Sequence, residues 1–207
     1  MKHNRLKYSV HLAILLVMFF CRAQGQNHKI LDIEKIKPAT NQYNYATTID
    51  EEIIYFKEGK FSGPAGFTYF DTLNEKRFIK EKKIISIHAG DQLFLRFPET
   101  QKRNSFTYVM EVAARNDKYI LALFIDEDAR RLGVYDYDRN QIVELKIYNH
   151  VGSKKANAIL DEKVRPYFNN CRPLIERMEE NIRVMKFGDP VMTEGVHNII
   201  CTDQKSE

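Results

Sequence analysis

The chain has no tryptophan, nine glycines, six prolines and only three cysteines in 207 residues. So little glycine and proline excludes a collagen-like or low-complexity chain. The glycines build no phosphate cradle either: Gly63-Pro64-Ala65-Gly66 is a turn without the Lys-Ser/Thr of a phosphate loop. No Gly-x-Ser-x-Gly elbow and no zinc-protease motif is present. No apolar run reaches the ~18 residues of a membrane-spanning helix. Charge of one sign is scarce as well, with 32 Lys+Arg against 28 Asp+Glu and a formal net charge of +4. What remains is 43% hydrophobic and 12% aromatic. That composition buries a core, and the length suits one domain.

The first residues read as an export address. Lys2, Arg5 and Lys7 precede an apolar run over residues 12–21, and Arg22-Ala23-Gln24-Gly25-Gln26 follows it. A basic start, a short apolar stretch and a small-residue exit is a secretory signal. The best cut follows Ala23, with Gly25 second. Lys2, Arg5, Lys7 and Arg22 all precede the first cut and no acid does, so the whole basic excess belongs to the leader. The remaining chain is neutral, which removes the case for nucleic acid or an anionic membrane. A lipid anchor at Cys21 is disfavoured by the bulky Phe20 before it.

Removing Cys21 leaves Cys171 and Cys201. An even pair in an oxidising compartment predicts a disulfide. The expected location is the periplasm or the extracellular space.

Residues 24–50 are polar and read as a lead-in. Strand patterns then dominate residues 51–150. Residues 92–97 alternate, with Leu93, Leu95 and Phe97 on one face. Gly90-Asp91, Arg115-Asn116-Asp117 and Asp138-Arg139-Asn140 mark three hairpins. Residues 118–125 have no polar face, which predicts a strand covered on both sides. The aromatic group Tyr55, Phe56, Phe61, Phe67, Tyr69 and Phe70 reads as core rather than a sugar-stacking platform, which favours tryptophan.

After Gly152 the period becomes helical. Leu160, Val164, Phe168, Cys171, Ile175, Met178 and Ile182 form one stripe, interrupted by Pro166 and Pro173. The reading is a helix over 155–165, a break over 166–171 and a helix over 173–184. Short turns and a late helical segment predict an α+β fold. Its body is an antiparallel β-sandwich or partly open barrel of about eight strands, followed by C-terminal helices on the sheet through residue 201, with 202–207 a tail.

Tyr167-Phe168-x-x-Cys171-x-x-Leu174 sits in the helical segment behind the β-rich body and the leader. In these features the chain resembles small exported proteins of Bacteroidota that carry a Tyr-Phe-x-x-Cys-x-x-Leu segment. The resemblance implies location and architecture, not chemistry.

Chemistry is sparsely signalled. Asp136-x-Asp138-x-Asn140 begins like a calcium loop but lacks its sixth-position glycine and twelfth-position acid. Asp126-Glu127-Asp128 is followed at once by Arg130 and Arg131. His28, His88, His150 and His197 show no metal-ligand spacing. His88, Asp126, Asp136 and Asp138 are the candidate catalytic residues. No metal and no cofactor is expected. The leading expectation is an exported, non-enzymatic protein that binds an envelope protein or a small ligand, or acts structurally. The alternatives are a secreted hydrolase with an acid/His site assembled in three dimensions, and a carrier of a small apolar ligand.

Overall fold

The computed structural model describes residues 44–61, 66–97, 109–125, 130–148, 152–185 and 192–202. The leader, Cys21, most of the lead-in, His28, Asp126, His150 and the end of the tail lie outside the described residues.

Twelve strands are described: β1 Asn44–Thr48, β2 Ile53–Phe56, β3 Glu58–Phe61, β4 Gly66–Phe70, β5 Lys76–Lys80, β6 Ile84–Ala89, β7 Gln92–Arg96, β8 Val109–Arg115, β9 Tyr119–Ile125, β10 Arg130–Asp136, β11 Gln141–Tyr148 and β12 Ile199–Ile200. One large sheet runs β11–β10–β9–β8–β7–β6–β1–β2, with β12 beside β8. It is open, not a barrel. β3–β4–β5 form a second sheet. All described pairings are antiparallel except β12 with β8. The end of the stretch read as lead-in is therefore a strand, β1, with Ala46 fully buried.

The hairpin turns follow their residues. Gly90 adopts φ +63°, the left-handed conformation a two-residue β6–β7 turn needs. Asn116 closes β8–β9 by accepting the backbone N–H groups of Lys118 and Tyr119 at 2.9 and 2.7 Å. Asn140, at φ +50°, serves β10–β11.

The large sheet is apolar on both faces. One face carries Leu93, Leu95, Met110, Val112, Ile120, Ala122 and Tyr135. The other is covered in two parts. Helices lie over Ala113, Leu121, Leu123, Leu132 and Val134. The small sheet lies over Ala46, Ile84, Ile87 and Val109, bringing Phe67, Tyr69 and Ile79. Residues 120–123 are thus buried on both sides, as their apolar run predicts. The aromatic group is largely core: Phe56, Phe67 and Tyr69 are buried, and Phe61 packs on Phe67 and Phe94.

The helices are α1 Ser153–Ile159, a wide π-type turn Leu160–Val164, α2 Arg165–Phe168 and α3 Arg172–Val184. The expected break at Pro166 is corrected. The helical path continues through Pro166 to Phe168 because the wider turn comes just ahead of it. That turn relieves the clash of the proline ring with the preceding turn. Pro166 then occupies the first turn of α2, where no N–H is needed. The true break is at residues 169–171, and Pro173 opens α3. The apolar stripe from Leu160 to Ile182 survives both prolines and faces one core. No described helix is long and apolar enough to cross a membrane.

Candidate functional site

β8 has a divided edge. β7 pairs with it over Val109–Glu111, and β12 takes over at Ala114–Arg115. Between them the Asn198 N–H donates to the Val112 carbonyl at 2.8 Å. The C-terminal strap, residues 192–201, therefore meets β8 where β7 leaves it.

Glu111 stands at this junction. It lies opposite Phe94 on β7 and Leu123 on β9. Phe94 packs on the small-sheet cluster and Leu123 belongs to the helical one, so the carboxylate occupies the seam between the two covering layers. Its side chain is 8% exposed. A buried carboxylate needs partners. Gln92 Nε2 donates to Glu111 Oε1 at 3.1 Å, and His197 Nδ1 lies 2.5 Å from the same oxygen.

Pairing Nδ1 with a carboxylate fixes the imidazole's orientation, and in the neutral ring with Nδ1–H toward Glu111 the acceptor is Nε2. The His197 side chain is 30% exposed, so the ring borders solvent. The arrangement can anchor the strap, accept a hydrogen bond from a ligand, or take a proton from water. Among the described residues no three His, Cys, Asp or Glu side chains converge on a metal position.

The strap is held at several further points. Asn181 of α3 donates to the carbonyls of Met192 and Glu194 at 3.2 and 2.8 Å. The Cys201 N–H donates to Arg115 O at 2.7 Å. Cys171 and Cys201 form the expected disulfide, with Cα atoms 5.0 Å apart.

The candidates named from sequence are not assembled. His88 lies on β6, opposite Tyr45, and the two rings stack with centroids 4.2 Å apart. Asp136 ends β10, buried, and accepts the backbone N–H groups of Asp138 and Arg139 at 2.9 and 3.0 Å. It shapes the β10–β11 turn, and Asp138 is exposed on that turn. β7, β8 and β9 separate the His88 and Asp136 strands. Glu111 escaped the sequence reading because its partners lie 19 and 86 residues away. The available signal was one acid inside the apolar run Val109–Ala114.

The same turn supports a pH prediction. Tyr135 is buried, and its hydroxyl donates to Asn140 Oδ1. Burial, with a smaller effect from the Asp136 carboxylate, pushes its phenol up to about 12. The folded state thus holds a proton that the unfolded chain releases near pH 10. Stability is expected to be intact below that pH and to fall by about 2 kcal/mol by pH 12. Denaturant titrations of the protein and of Tyr135→Phe over this range test it. The substitution should remove that part of the decline, and identical slopes would refute it.

No family model, curated protein or solved structure matches the chain.

Proposed function

We propose that this is an exported protein of the periplasm or cell exterior with a non-enzymatic binding or structural role. The observation that carries the reading is the Cys171–Cys201 disulfide, which joins the start of α3 to the strap. Such a bond persists in an oxidising compartment. The leader pattern and the neutral charge of the remaining chain agree with it. Glu111 and His197 serve here as an anchor: they hold the strap at the point where β8 changes partner. The test is fractionation of the full-length chain with mass spectrometry of the non-reduced product. Export predicts a chain starting at Gln24, with no free thiol, outside the cytoplasm. A cytoplasmic chain retaining Met1 would overturn it.

Glu111–His197 also supports a second reading, a hydrolase in which His197 Nε2 takes a proton from water while Glu111 holds the ring. His197→Gln retains much of the shape and removes the base. A hydrolytic activity toward ester or phosphodiester substrates that falls about 100-fold or more in this variant would favour the enzyme. Activity unchanged by the substitution excludes His197 as the base.

A further inference from the structure

The small sheet turns one face to the core and one to solvent. Gly59, Phe61, Phe67, Tyr69 and Ile79 share the inner face. The cross-strand register places Glu58 and Lys60 of β3, Thr68 and Phe70 of β4, and Lys76, Phe78 and Lys80 of β5 on the outer face. Lys60, Lys76 and Lys80 are exposed. No ion pair engages any of these three among the described residues. The nearby acids Asp71 and Glu75 are both paired with Arg77. Three uncompensated lysines thus share a face with a single glutamate.

Phe78 lies between Lys76 and Lys80 and is 49% exposed. Its ring leans across β4 over Gly66: a Cβ added at Gly66 would meet Phe78 Cζ at 2.9 Å. The tip of the ring reaches the neighbouring strand, and about half of the residue stays open to solvent. An exposed aromatic face stacks on the apolar C–H face of a sugar, and lysines on either side attract anionic groups. Lys76 and Lys80 are about 14 Å apart along the strand.

We propose that this outer face binds an anionic polysaccharide. Phe78 stacks on a sugar ring, and Lys60, Lys76 and Lys80 meet carboxylates along the polymer. The proposal gives the binding reading a ligand class and a surface separate from the Glu111 seam. It is tested on purified protein, so its outcome is independent of where the protein resides.

The experiment is affinity electrophoresis and calorimetry of the oxidised protein with polygalacturonate, alongside dextran, oligo(dT) and vesicles of anionic lipid. The expected result is binding to polygalacturonate that weakens with salt, with none to dextran. Lys76→Glu/Lys80→Glu should weaken it about tenfold or more. Phe78→Ser should weaken it about tenfold, and Phe78→Tyr should retain it. Lys154→Glu/Lys155→Glu, on the helical side, should leave it unchanged. All these positions are exposed, and thermal melts verify that each variant is folded. No binding to polygalacturonate at low salt overturns the proposal. Tighter binding to oligo(dT) or to vesicles, or equal loss in the helical-side control, overturns it too.

Discussion

Replacing Cys171 and Cys201 together by serine should lower stability by about 3–4 kcal/mol, the loop-closure value for a ring of this size. The bond spans 30 residues of chain. The corresponding drop in melting temperature is about 10 °C for a chain of this length. Treating the native protein with reductant should reproduce most of it. The effect should not be spread evenly. Hydrogen exchange should rise first at the amides of residues 198 and 201, which donate to the Val112 and Arg115 carbonyls of β8. Unchanged melting under full reduction would mean that the strap is held by Asn181, Glu111 and its apolar contacts without the covalent link.

Phe168→Ala should cost about 4 kcal/mol. The ring is 2% exposed in the cluster that joins helices to sheet, with Leu160, Leu174 and Met178. Truncation there leaves a cavity that two helices and a sheet cannot collapse around. Tyr167 next to it provides the control. It is half-buried and meets Tyr119 edge-on at 5.0 Å, so Tyr167→Ala should cost about 1–2 kcal/mol. Urea melts of the two variants measure the difference. Equal losses would contradict the assignment of Phe168 to the core.

This pair also explains the Tyr-Phe-x-x-Cys-x-x-Leu segment in physical terms. Phe168, Cys171 and Leu174 all enter one core, while Tyr167 closes over its edge on Tyr119. The spacing is helical, yet the chain leaves the helix at residues 169–171. A short break that restarts with Pro173 keeps the stripe aligned. Periodicity could reveal the stripe but not the π-type turn before Pro166, because that turn answers a steric clash rather than a pattern.

The body was readable wherever a local device sets the geometry. Gly90, Asn116 and Asn140 each terminate a hairpin with chemistry confined to a few residues. The alternation of Leu93 and Leu95 with half-buried neighbours likewise marks its own face. β1 was missed because Asn44–Thr48 is polar in composition, although Thr47 and Thr48 are buried in the sheet. The seam was missed for a different reason. Gln92, Glu111 and His197 have no shared spacing, and tertiary closure alone brings them together. Asp136 shows the reverse case. It looked like a possible acid of a site, and its carboxylate is occupied by the backbone of its own turn.

The divided edge of β8 has a consequence for how the molecule is completed. β7 covers only the first part of that strand, and the rest waits for the final segment of the chain. A chain that ends before Asn198 would keep the eleven earlier described strands but lose Cys171's disulfide partner and leave an open row of backbone donors and acceptors at Val112–Arg115. Open strand edges recruit other chains. Truncation before Asn198, or cleavage there followed by reduction of the disulfide, should therefore make the protein more prone to self-associate, out of proportion to the small number of contacts removed.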